Sequence, residues 1–405
     1  MTTVPSFIFD KRKAYSILAV STLTFIIGYM VWMMFAVIGV FIKSRLNLNA
    51  TEFGLLMAVP VFTGSLMRAP LGFLVDRFGG RIVMFVVLLF SVIPIWLVSY
   101  AKLYWHFLAL GMFTGIVGGT YGIGIPYVAH WFPKHRQGLA MSIYGAGSIG
   151  TTLNKMLAPL LIALSSWVIV PQVYACLVLV AALLFWLFSY QNTDHITTSK
   201  VTLREQIGTL KDKIVLCYCH YYSISFGAFV ALSLWMVQYY KDEFSLSLEQ
   251  AAFLTACFTF PASMFRILGG WLSDKYDGQV VTLWTMRIGC LCTFFLSFPS
   301  ASITFFLQGF YVELVPYIFA VLMFILGICL SLSKASVYKF ISDNYIAKIG
   351  AVSGIVGTVA GISGSLWLFI FGFLFDLTGI RSTTFMFLFL MIFLALILLR
   401  ATKTK

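Results

Sequence analysis

Few residues in this 405-residue chain could do chemistry, and the most unusual are cations set inside long apolar runs. Arg68 and Arg266 lie 198 positions apart, each within such a run. Lys155 and Lys334 interrupt two others, and Arg287 lies nearer the end of a fifth. All 14 carboxylates fall between the runs or at their ends. A cation with no acidic neighbour in an apolar segment calls for an anion from elsewhere. Guanidinium is a planar fork that stays charged and meets planar oxyanions through paired hydrogen bonds. The alternative is that each arginine bonds backbone carbonyls or reaches to an interface. His106 and His130 lie near run ends, which leaves His220 as the best histidine for carrying a proton, or as a packing residue. Cys217/Cys219 and Cys290/Cys292 are C-x-C pairs with nothing nearby to complete a ligand set, so no metal is expected. No nucleophile–base constellation or acid pair lies in the runs, and neither an enzyme nor a cofactor is expected.

The elements that must position these cations follow from composition. The chain is 60% hydrophobic and 10% charged, where a soluble domain carries roughly 25% charged residues. Uncharged runs such as 82–100, 173–190 and 382–399 suit a helix crossing ~30 Å of hydrocarbon. Backbone polar groups cannot go unpaired in lipid, so such runs are helices or barrel strands. Barrel strands are ~10 residues long and alternate polar with apolar, which these runs do not. The predicted spans lie near 14–42, 51–75, 82–101, 104–132, 138–163, 167–190, 213–240, 250–273, 279–299, 314–341, 349–374 and 384–400. The first is too long for a cleaved signal peptide.

The fold class expected is therefore an all-α membrane protein of twelve transmembrane helices. The longest polar stretch divides it into a six-helix half (1–190), a cytoplasmic linker (191–212) and a second six-helix half (213–405). Of 27 Lys and Arg, seventeen fall on the side of the termini, five on the opposite side and five in spans. That bias predicts cytoplasmic termini in a bacterial inner membrane. It also accounts for the net charge of +13 without nucleic acid. The expected partners are the lipid bilayer and a small anionic substrate, with the chain a monomer.

The halves repeat. Arg68-x3-Gly72-x3-Asp76-Arg77 recurs as Arg266-x3-Gly270-x3-Asp274-Lys275, and Lys43 and Lys241 share the same offset. Parallel halves with a site between them are a common transporter plan. The loop from Gly72 through Asp76-Arg77 to Gly79-Gly80-Arg81 resembles the signature of the major facilitator superfamily. The stretches 56–70, 115–138 and 337–357 resemble, more specifically, its nitrate/nitrite porters. That resemblance implies that Arg68 and Arg266 hold the anion, that Tyr222 hydrogen-bonds it, and that Tyr121 and Phe226 sandwich it. Without the resemblance these aromatics would be ordinary packing residues. Gly145, Gly147, Gly354 and Gly357 fall in glycine-rich spans five and eleven, where small residues allow close helix approach, for packing, for gating, or both. Gly72, Asp76 and Arg77 are gating candidates as well.

The pattern also departs from that family. Ser148 stands where an asparagine is usual, and Lys334 likewise replaces an asparagine. Lys155 has no counterpart, and Asn154 beside it is a further candidate contact. If the two lysines face the cavity, a larger or more highly charged anion would suit it; otherwise they are buried and uncharged. The function expected is a secondary transporter of a small inorganic anion, nitrate or nitrite first, working by alternating access. With no carboxylate in the spans to relay protons, exchange is favoured over proton symport. The alternative is the same fold carrying an organic acid or a phosphorylated metabolite. A receptor that binds without moving its ligand would need a signalling domain, which neither the N-terminal stretch nor 401–405 supplies.

Overall fold

A computed structural model of the chain describes residues 10–191, 207–298, 316–345 and 349–402. Most of the expected 191–212 linker lies outside these. Among the described residues the helices group into twelve span-length stretches. Spans one to four are Lys11–Leu46, Ala50–Phe78, Gly80–Tyr100 and Tyr104–Ala129. Span five covers 134–164, and span six is Ile169–Phe188. Span seven is Lys213–Phe244, span eight covers 248–276 and span nine is Gly278–Leu296. Spans ten to twelve are Pro316–Asn344, Ile349–Thr378 and Thr383–Thr402.

Ten of these are long and apolar enough to cross a membrane, and span eight makes eleven when its two helices, bent by 42°, are taken together. Span five is the exception. It breaks at Gly147–Ile149 into two shorter helices, and its second part carries Thr151, Thr152, Asn154 and Lys155, all buried. Polar side chains can sit there because the protein, not lipid, surrounds them.

Two layers result. Spans one and seven are the innermost, burying 83% and 78% of their apolar windows, whereas span twelve buries 39%. Val86, Leu187, Leu291 and Leu390, on spans three, six, nine and twelve, point outward and are exposed. An apolar belt of this extent is stable against lipid tails and not against water.

The duplication is written into the backbone. Asn47 (φ 50°) and Ser245 (φ 53°) are both left-handed, and Gly79 (φ 83°) and Asp277 (φ 76°) both have positive φ. Each pair is separated by the 198 residues that separate Arg68 from Arg266. The same offset relates the capping boxes that start spans two and eight, Asn49 with Glu52 and Ser247 with Gln250. Each satisfies two N–H groups that a helix start leaves unpaired. Asp277 and Ser245 hold a strained backbone that glycine or asparagine accepts more easily, so the turn geometry has outlasted the residue types.

The halves meet along spans two and eleven, and along spans five and eight. At the end opposite the termini, backbone presses on backbone. A Cβ on Gly54 would lie 2.4 Å from the Leu368 carbonyl oxygen, and one on Gly372 would lie 2.1 Å from that of Ala50. Asp376 of span eleven accepts hydrogen bonds from the Ala50 and Thr51 amides (3.1 and 2.7 Å) and from the Thr51 hydroxyl (2.6 Å). It thus caps the start of span two from across the interface, where the helix dipole favours a negative charge. Lys43 pairs with Asp242 at 3.4 Å beside it. Replacing Gly54 by valine should force these helices apart and cost about 1–3 kcal/mol of stability. Gly270→Ala, where a Cβ meets nothing within 4 Å, should be neutral. Thermal unfolding in detergent checks both, and equal melting temperatures would contradict the packing account.

Candidate functional site

The arginines sit at irregular points of their helices. Span two carries Pro60 and Pro70 on either side of Arg68. Span eight carries Pro261, breaks at Phe265, and restarts at Arg266. Proline removes a backbone donor and crowds the preceding turn, which is the usual cause of a kink. Opposite them, span four tightens into a 3-10 turn at Ile116–Gly119, just before Tyr121. Span seven widens into a π turn at Ser223–Ala228, which holds Phe226 and follows Tyr222. The Ser223 and Ser225 hydroxyls donate to the Cys219 and Tyr221 carbonyls (2.7 and 2.9 Å), taking up acceptors that the wide turn loosens. A Cβ on Gly227 would lie 2.9 Å from the Ala360 carbonyl oxygen, so the bulge lets span seven touch span eleven through its backbone.

Between these turns the side chains converge. The Arg68 guanidinium carbon lies 4.8 Å from the Phe226 ring centre, 5.2 Å from Tyr121 and 5.6 Å from Trp32. Its Nη1 donates to the Gly357 carbonyl at 3.3 Å, while its buried Nε has no partner among the described residues. Arg266 donates from Nη2 to the Tyr121 hydroxyl at 3.3 Å and lies 5.7 Å from the Tyr338 ring centre. Tyr121 therefore touches both guanidiniums, one with its face and one with its oxygen. Tyr222 stacks on Phe226 at 5.7 Å with planes 5° apart, and meets Tyr338 edge-on at 4.7 Å. Among the described residues, no ion pair involves either arginine. Ring faces attract cations, at roughly 0.5–2 kcal/mol each, but they do not neutralise them.

Other expected site residues lie elsewhere or do other things. Ser148 is buried in the 3-10 turn of span five, which packs on spans one and eight. Asn154 donates its amide N–H to the Met33 carbonyl (2.8 Å), and its amide oxygen accepts from the Tyr174 hydroxyl (2.7 Å). Lys155 donates to the Thr151 carbonyl and hydroxyl one turn back (3.2 and 2.8 Å). Lys334 donates to the Ala262 carbonyl at 2.6 Å and stands 3.7 Å above the Phe229 ring. Gly145 faces the site: a Cβ there would lie 3.4 Å from the Arg266 Nη1. Gly147 instead makes room for Phe25, since a Cβ there would lie 2.6 Å from its Cδ1, and the Gly354 carbonyl accepts the Thr358 hydroxyl at 3.0 Å. A Cβ on Gly72 would make only ordinary contact, 3.8 Å from the Gly122 carbonyl oxygen. Arg77 is exposed over the Phe78 ring, and the side chain of Asp76 is outside the description.

Sequence reasoning missed Trp32. Its indole Nε1 donates to the Pro60 carbonyl at 2.9 Å, and a Cβ on Gly64 or Gly118 would come within 2.6 or 2.5 Å of that nitrogen. Two glycines on neighbouring spans thus make the slot for one large ring beside Arg68. Their presence signals a close contact, but nothing in the sequence says which aromatic fills it.

Compared with known proteins, the chain matches the model of the Major Facilitator Superfamily over residues 20–315 and 214–405. It is 33% identical to the probable nitrate/nitrite antiporter NarK1 of Thermus thermophilus, covering 98% of this chain and 93% of that protein. It is 30% identical to the nitrite extrusion protein of Bacillus subtilis, covering 91% and 89%. It is 28% identical to the probable nitrate transporter NarT of Staphylococcus aureus, covering 93% of each. Among solved structures, a bacterial homolog of the human lysosomal transporter Spinster, in an inward-facing and occupied conformation, shares the fold, with a TM-score of 0.72 over 98% of each chain at 14% identity.

Trp32→Phe removes the donor to a buried carbonyl and leaves space beside Arg68. It should cost about 1–3 kcal/mol, read as a lower unfolding temperature of the ligand-free protein. An unchanged temperature would mean that Trp32 does not hold the site.

Proposed function

This chain belongs to the Major Facilitator Superfamily, and on that premise we propose that it carries a small inorganic oxyanion, nitrate or nitrite first, across a membrane by alternating access. One observation carries the proposal: two guanidiniums, that of Arg68 buried and that of Arg266 half-buried, share Tyr121, lie among aromatic rings, and have no carboxylate against them among the described residues. A planar anion between ring faces could use both forks at once. The names of the relatives support the choice of anion.

Each arginine has partners in its own half, Tyr121 and Trp32 for Arg68 and Tyr338 for Arg266, and reaches across to the other. Arg68 reaches Gly357 and Phe226; Arg266 reaches Tyr121 and Gly145. An arriving anion would compete with the Gly357 carbonyl for Arg68, and so loosen or re-form the contact between spans two and eleven. We propose that this is how occupancy reaches the interface, with the halves 1–190 and 213–405 rocking about the site. An empty site would carry two uncompensated charges through the closed state, at a cost of several kcal/mol. Exchange of one anion for another avoids that cost and is preferred here to proton symport. The chain is taken to act as a monomer in a bacterial inner membrane, with both termini in the cytoplasm.

Arg68→Lys and Arg266→Lys should each cut anion uptake into liposomes at least tenfold, because an ammonium cannot supply the planar fork. Uptake at the wild-type rate in either variant would refute the mechanism. In detergent, nitrate at about 100 times its dissociation constant should add about 2.7 kcal/mol of stability. Stabilisation by a carboxylate or phosphate ester instead would keep the site and change the cargo. Counterflow that needs anion on both sides separates exchange from symport.

A further inference from the structure

We infer that Tyr29 is a further substrate contact, its hydroxyl donating to an oxygen of the bound anion and favouring planar three-oxygen monoanions over two-oxygen anions and halides. The inference rests on the anion-transport reading above. Tyr29 lies on span one, which supplies neither guanidinium. Its ring meets Trp32 edge-on at 5.2 Å and Phe25 at 5.4 Å, and Trp32 in turn lies beside Arg68. A Cβ on Gly150 would come within 3.0 Å of the Tyr29 Cβ, so the span-five backbone fixes the root of the side chain.

The residue is 3% exposed, and its hydroxyl has no hydrogen-bond partner among the described residues. Both of its ring neighbours border the site: Trp32 lies 5.6 Å from the Arg68 guanidinium carbon, and the Phe25 ring lies 5.6 Å from that of Tyr121. A buried hydroxyl without a partner weakens the folded protein, and native structures rarely keep one without a use. Phenylalanine would fill the same space without that penalty. The hydroxyl makes sense if a ligand completes its bond, and Arg68, on the far side of Trp32, makes an anion the fitting ligand. Each guanidinium can pair with oxygens of a planar ion, and a phenol from another helix supplies a donor for one they leave free. Nitrate has a third oxygen to accept it; nitrite does not.

The test is a binding titration of the purified full chain with nitrate, nitrite and chloride, comparing wild type with Tyr29→Phe. The variant should keep or raise the ligand-free unfolding temperature, bind nitrate about tenfold or more weakly, and lose most of its preference for nitrate over nitrite. A merely packing role would leave that ratio unmoved. Unchanged nitrate affinity and an unchanged ratio in the variant would overturn the assignment while the transport reading stands. If the wild type binds neither oxyanion, the transport reading falls and takes this assignment with it.

Discussion

Everything near the centre of this protein answers to two guanidiniums that cannot shed their charge in a medium that disfavours it. Arginine stays protonated, so the surroundings must adapt. They adapt with ring faces, one carbonyl and one phenol rather than with carboxylates. On the mechanism proposed above, such partners are weak enough for an incoming anion to displace. A carboxylate at the same distance would hold the arginine permanently and leave the site shut to other anions. The tight turn in span four, the wide turn in span seven and the break in span eight all fall within a few residues of these contacts. Helix irregularities of this kind cluster where side chains must be aimed rather than stacked.

The two arginines are equivalent in sequence but not in surroundings. The 198-residue offset relates the two, and the capping boxes and left-handed turns at the same spacing keep spans two and eight in matching register. Beyond that the halves have diverged. Arg68 is held by a backbone oxygen and Arg266 by a side-chain oxygen. A carbonyl cannot be lost by mutation, whereas the Tyr121 hydroxyl can, so the second half's arginine depends on a replaceable group.

Much of this was legible in the sequence, and the limit has a physical reason. Uncharged runs of about 20 residues fix helices because lipid leaves the backbone no other choice. The spacing of Arg68 and Arg266 fixed their equivalence, and the absence of nearby carboxylates pointed to an anion. Span five was legible only as a span, because its buried Thr151, Thr152, Asn154 and Lys155 depress its hydropathy, and the sequence does not show that Phe25 packs where a Cβ on Gly147 would sit. Trp32 and Tyr29 were not legible as site residues. In a chain with 40 Phe, 19 Tyr and 10 Trp, an aromatic facing the centre reads the same as one facing lipid. For Lys155 and Lys334 the sequence left open whether they face the cavity or lie buried and uncharged; their amines bond the Thr151 oxygens and the Ala262 carbonyl.

The carboxylate of Asp376 has a kinetic meaning as well as a structural one. It closes the first turn of a helix that belongs to the other half. Any motion that parts the halves at that end must hand those amides to water, separate Lys43 from Asp242, and hydrate all of them before the path is open. That toll is the same whatever occupies the centre of the molecule. The fastest possible cycle would then be set by groups that never meet the cargo, and different anions would differ in how tightly they bind more than in how quickly they are released to that side.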